Sequence, residues 1–227
     1  MTMKKLRAKA RVEAFTLIEV LVVVAIIAIL WAMVMPTTDK IPTSAYGIAC
    51  MNNQKQIAMV ILIWANDHNG MLPWQVSTND DGTMEFVPNG MAASQFQSLT
   101  NFLTDPLIFI CPTDKARRRA ADIKSLSNSN ISYFVNVDAK MTNGVTPILT
   151  GDRHLQAGSD AVKAGLFVYT NGMAMGWTSE LHGNADNLPS GVVAFVDGHA
   201  EVTKVTSTKV PGVFNRQGLA SARLLVP

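Results

Sequence analysis

From Phe15 to Met35 the chain runs twenty-one residues with a single charge, Glu19. As a helix, such a run reaches about 30 Å, the thickness of a bilayer core. Lys4, Lys5, Arg7, Lys9 and Arg11 precede it. Cations on that flank predict that residues 1–14 stay in the cytoplasm and that the rest of the chain lies across the membrane. Three readings of the run compete. A cleaved signal peptide needs small residues after its apolar core, but this run ends Trp31-Ala32-Met33-Val34-Met35-Pro36. A plain anchor has the right length but leaves Glu19 unexplained, and a carboxylate within such a span costs about 2.5–3.5 kcal/mol. In the third reading the chain is cut between Ala14 and Phe15. The new Phe15 amine then sits one helical turn from Glu19. In a bundle of such helices, Glu19 of one copy would neutralise the amine of the next, and buried charges are tolerable only when paired.

Ala14-Phe15-Thr16-Leu17-Ile18-Glu19 followed by an apolar helix resembles the prepilin cleavage and methylation motif of type IV pilins and of type II secretion pseudopilins. Ala14 stands where that family usually has Gly. The resemblance implies cleavage before Phe15 by a prepilin peptidase, N-methylation of Phe15 and a role for Glu19 in assembly. Pro36 resembles the helix-kinking proline of the pilin membrane segment. The implied fold is α+β: a long N-terminal transmembrane helix followed by a small, mostly antiparallel β-sheet head. The implied division is a leader over 1–14, a transmembrane and assembly helix over 15–36, the kinked remainder of the long helix over 37–67, and an extracytoplasmic head over 68–227.

The rest of the chain reads as that head. Removing residues 1–14 leaves 14 Lys and Arg against 16 Asp and Glu, so a basic nucleic-acid-binding surface is not supported. Pro36 and Pro42 interrupt helix, which resumes at Ser44 or Ala45. Apolar residues at Cys50, Ile57, Ile61, Trp64 and Ala65 form one helical face, and Gly70 is the expected C-terminal cap. Asn79–Gly82 reads as a turn, Ala92–Leu103 as a short helix, Leu107–Cys111 as a strand and Lys115–Lys124 as a short basic helix. Strands are expected at Ile131–Val137, Thr146–Thr150 and Gly165–Thr170. Val192–Val196 and His199–Val205 form a hairpin whose Asp197-Gly198 turn supplies positive φ angles. Residues 206–227 read as an irregular tail.

Cys50-Met51-Asn52-Asn53-Gln54-Lys55-Gln56, Cys111-Pro112-Thr113-Asp114, Asp152-Arg153, Trp177-Thr178-Ser179, and His182 followed by Asp197-Gly198 are similar to marks of a large pilin-like group abundant in planctomycetes. The spacer between His182 and Asp197 is fourteen residues, longer than the nine usual there. Some major pseudopilins bind calcium in a C-terminal loop, so the resemblance draws attention to the oxygen donors of Asn184, Asp186, Asn187 and Asp197.

Two cysteines in an extracytoplasmic head suggest a disulfide between Cys50 and Cys111; the other reading is two separate buried thiols. Asp152, His154, His182, Asp197 and His199 are the residues most able to hold a transition metal, since Asp-x-His pairs share a strand face. Ser179, His182 and Asp197 have the residue types of a hydrolytic triad, but no Gly-x-Ser-x-Gly elbow accompanies them. No Gly-rich phosphate loop is present, and no enzyme activity is expected. The leading reading is a structural subunit, with a secretion pseudopilin preferred to a surface pilin. Its partners would be other pilin-like subunits, the peptidase, the membrane, and an assembly platform served by a separate ATPase. The alternative is a membrane-tethered module that binds a ligand or metal and does not polymerise.

Overall fold

The computed structural model describes residues 15–34, 43–141, 146–178, 182–183, 189–204 and 221–227. Two units separate, Met1–Lys40 and Ile41–Pro227. In the first, helix α1 spans Leu17–Val34. Residues 15–33 are exposed, and all of α1 but Glu19 is apolar, so the helix has no polar face set apart from an apolar one. Its 18 residues reach about 27 Å. Among the described residues no helix is long and apolar enough to cross a membrane; the run read from sequence continues to Met35, outside them. Ala14 and Pro36 also lie outside the described residues.

The second unit begins with α2, Thr43–Asp67. The helix falls in one unit with the residues that follow it. Cys50, Gln54, Ile57, Ala58, Ile61, Trp64 and Ala65 are all buried, a stripe at 3- and 4-residue steps that faces the sheet. The helix ends with Asn69, not Gly70, in the first left-handed position (φ 56°). Gly70 follows at φ 77° and donates its N–H to Ala65 O at 2.8 Å, a Schellman closure. Helix α3, Ala92–Gln97, comes next.

The strands are β1 Tyr133–Asn136, β2 Ile148–Asp152, β3 Leu155–Ala157, β4 Asp160–Ala161, β5 Gly165–Thr170, β6 Met175–Trp177, β7 His182–Gly183, β8 Pro189–Phe195, β9 Ala200–Lys204 and β10 Ser221–Val226. The main sheet is antiparallel, with order β5-β10-β1-β2-β8-β7 and β9 paired to β8; a smaller sheet runs β4-β3-β6. Alternation sorts its residues into two cores. Tyr133, Val135, Leu149, Val192, Ala194 and Leu225 face the core that holds α2 and α3. Phe134, Ile148, Val193, Phe195 and Leu224 face the one closed by Tyr169 and Trp177.

Four local expectations are corrected. Residues 107–111 do not form a strand: Pro106–Phe109 is a 3-10 turn, started by Pro106 and capped by Asp105, whose carboxylate accepts from Leu107 N. The expected helix over 115–124 is a series of turns and bends, because Asp114 takes the Ala116 N–H at 3.2 Å and draws the backbone into an Asx turn. The supposed tail contains β10, which lies inside the sheet between β5 and β1. The hairpin loop has three residues, not two: Phe195 N donates to His199 O at 2.9 Å, and only Gly198 has positive φ (84°), the arrangement of a three-residue hairpin loop with left-handed Gly.

Candidate functional site

At the head of α1 the backbone needs acceptors for its free N–H groups. Thr16 and Glu19 form a reciprocal cap. Thr16 N and Oγ1 donate to Glu19 Oε2 at 2.9 and 2.8 Å, and Glu19 N donates to Thr16 Oγ1 at 3.4 Å. This T-x-x-E capping box was readable from the sequence and gives Glu19 a local task beside the one expected in assembly. Both Thr16 donors use Oε2.

A second constellation lies in the head, where Cys50, Cys111, Asp152 and His182 converge. All four are buried, and one ligand atom from each lies within 4.8 Å of the others. Each comes from a different element. Cys50 is on the inward face of α2, one turn before Gln54. Cys111 follows the 106–109 turn. Asp152 closes β2, and His182 opens β7. Strand β8 aligns the last two: Gly151 pairs with Val193 and His182 with Ser190. Val193 and Ser190 each pair with β9 on their other side, so β2 and β7 follow one another along the same edge of β8.

Asp152 is the hub. Its Oδ1 accepts from Cys50 Sγ at 3.1 Å and from Gln54 Nε2 at 3.1 Å. Its Oδ2 accepts from Val192 N at 2.7 Å and lies 3.3 Å from His182 Nε2. Gln54 is itself held by Val192 O at 3.2 Å. A buried carboxylate survives only with such satisfaction. Cys111 Sγ lies 3.3 Å from His182 Nε2 and 3.1 Å from Thr113 Oγ1. His182 Nδ1 and Gln54 Oε1 are buried without a hydrogen-bond partner among the described residues.

The two thiols differ. Burial pushes Cys50 well up, with Cys111 and the Asp152 charge adding to the effect. Cys111 is pulled down to about 6 by its hydrogen bond with Cys50, against burial and with help from His182. Burial works to lower His182, but Asp152 and Cys111 together push it up to about 10. The two cysteines expected to pair, Cys50 and Cys111, stand as free thiols in this structure, brought into one cluster. A thiolate beside an imidazolium is the arrangement of a cysteine nucleophile. Here Cys111 is fully buried.

The other candidates separate. Asp152 and His182 join the cluster; Asp197 and His199 do not. Those two form an exposed pair at the hairpin tip, where Asp197 Oδ1 accepts from His199 N at 3.1 Å and also meets His199 Nδ1. His182 faces Asp152 rather than Asp197, so the triad is not assembled, and Ser179 lies outside the described residues. Of the calcium candidates, Asp197 is at that tip, while Asn184, Asp186 and Asn187 lie outside the described residues. His154 is buried and accepts Thr178 N at its carbonyl, 2.9 Å. The sequence reading named all four residues, Cys50 with Cys111 as a disulfide and Asp152 with His182 among the transition-metal candidates, but did not join the two pairs, because their members are far apart in sequence. One further local signal was Gln54, a polar residue one turn after Cys50 on a buried stripe.

Residues 9–35 match the prokaryotic N-terminal methylation motif. No curated protein and no solved structure matches the chain.

Proposed function

We propose that the chain is a pilin-like structural subunit, most simply a type II secretion pseudopilin and otherwise a type IV pilin. The observation that carries this reading is the methylation motif over 9–35, set at the start of a helix apolar on all sides. The leader keeps to the cytoplasm by its charge, the apolar helix anchors the chain in the bacterial inner membrane, and the head lies outside the cytoplasm. Prepilin peptidase cuts between Ala14 and Phe15 and the new amine is methylated. The apolar helices of many copies then bundle into a filament core with the heads outside, in the periplasm or at the surface. Glu19 takes the Phe15 amine of a neighbour. A separate ATPase and an inner-membrane platform drive assembly; the subunit performs no catalysis.

The reading is tested by Glu19→Ala in the native host, which should block filament assembly while membrane insertion continues; normal filament yield would contradict it. The alternative, a tethered binding module that never polymerises, draws support from the Cys50–Cys111–Asp152–His182 cluster. The burial of that cluster suits an internal staple better than the capture of an external ligand. An uncut leader in the native membrane would favour the module.

A further inference from the structure

We propose that Cys50, Cys111, Asp152 and His182 bind one zinc ion as a closed structural site that staples α2 to the sheet. The ligand set is two sulfurs, one imidazole nitrogen and one carboxylate oxygen, and such S/N/O sets favour zinc. Bonds of about 2.0–2.3 Å place the corners of a tetrahedral site about 3.3–3.8 Å apart. The contacts between ligand groups are 3.1 Å for Cys50 Sγ to Asp152 Oδ1, and 3.3 Å both for His182 Nε2 to Asp152 Oδ2 and for His182 Nε2 to Cys111 Sγ. These contacts reach both carboxylate oxygens, and with one ligand atom taken from each residue the four lie within 4.8 Å of one another, so a coordination shell forms when the close contacts open and the longer ones draw in.

A disulfide would account for two of the four residues. It would remove the Cys50 S–H that donates to Asp152 and leave the Cys111 sulfur that faces His182 a weak acceptor, so the buried carboxylate and imidazole would have poorer partners. A divalent cation employs all four. Its entry displaces the Cys50 thiol proton and the proton shared by Cys111 and His182, so two positive charges replace two and the buried charge is unchanged. No electron transfer is involved. All four ligands come from protein and are buried, so the role is structural rather than catalytic. Gln54 and Val192 N hold the Asp152 carboxylate from outside, the support that ligating carboxylates require.

The test uses the untagged full-length chain in detergent, purified without chelator. Metal content and intact mass are measured together, and the metal-free reduced chain is then titrated with Zn²⁺ and with Co²⁺. We expect about one zinc per chain with both thiols reduced, and a cobalt form with the visible bands of a tetrahedral site and near-ultraviolet thiolate charge transfer. Gln54→Ala keeps all four ligands and should weaken zinc binding about 10-fold or more. Cys111→Ser should abolish the thiolate bands of Cys111; if that variant does not fold, the unmutated chain and Gln54→Ala still decide. A reduced chain that takes up neither metal, or native protein in which Cys50 and Cys111 are joined, overturns the proposal.

Discussion

Asp114 receives the Arg153 guanidinium side-on, with Nε at 2.7 Å from Oδ2 and Nη2 at 3.0 Å from Oδ1. Ser132 Oγ adds a third donor at 2.9 Å. The pair joins the turn after Cys111 to the end of β2, the same two segments that supply Cys111 and Asp152 to the buried cluster. Asp152 and Arg153, adjacent in sequence, therefore divide between two polar centres. Cys111 and Asp114, three residues apart, do the same.

This pair gives the head an acid-sensitive contact. Burial tends to raise the Asp114 carboxyl, but Arg153 and Ser132 hold it below the ordinary range. A lowered carboxyl contributes stability that is present above its unfolded value of about 3.9 and is lost as pH falls through the folded value. Thermal melts of the full chain from pH 5 down to about 2 should show this loss, and Asp114→Asn should flatten the slope. At pH 7, Asp114→Ala should cost about 3 kcal/mol, because Arg153 is left without its partner. Equal slopes for the unmutated chain and Asp114→Asn would contradict this.

Gly191 lies in β8 beneath Trp177. A Cβ there would overlap the indole ring of Trp177. The indole has nowhere to retreat: its Nε1 donates to Thr203 Oγ1 at 2.8 Å, and Thr203 donates on to Gly191 O at 3.0 Å. Gly191→Ala should destabilise the head by about 1–3 kcal/mol through overpacking. Chemical denaturation followed by tryptophan fluorescence measures this, and an unchanged midpoint would show that the ring can shift.

Much of this fold was legible because its signals are local. The apolar run gave α1, the stripe from Cys50 to Ala65 gave α2, and alternation gave β5 and the β8–β9 hairpin. Strand β10 was not legible, since Ser221–Val226 has no turn signal after it and its partners, β1 and β5, precede it by many residues. The apolar run at 107–110 looked like a strand until Asp105 and Pro106 set a 3-10 turn. The cluster was the least legible feature. Cys50 and Asp152 are 102 residues apart and Cys111 and His182 are 71 apart; the placement of β2 and β7 along one edge of β8 aligns Asp152 with His182, and the packing of α2 on those strands brings Cys50 to them.

The two tasks of Glu19 can be separated. Thr16→Ala removes the reciprocal cap, a local loss of about 1 kcal/mol, but keeps the carboxylate. Glu19→Ala removes both. If pairing with a neighbour's amine is what matters, filament yield should fall modestly in Thr16→Ala and be lost in Glu19→Ala, with both chains still membrane-inserted. Equal losses would reduce Glu19 to a helix cap.

The most direct measurement is the mass of the N-terminal peptide of the chain recovered from its native membrane. The account predicts a chain that begins at N-methyl-Phe15, with residues 1–14 gone. A chain that still begins at Met1 or Thr2 would contradict it, and would leave a tethered head in place of a filament subunit.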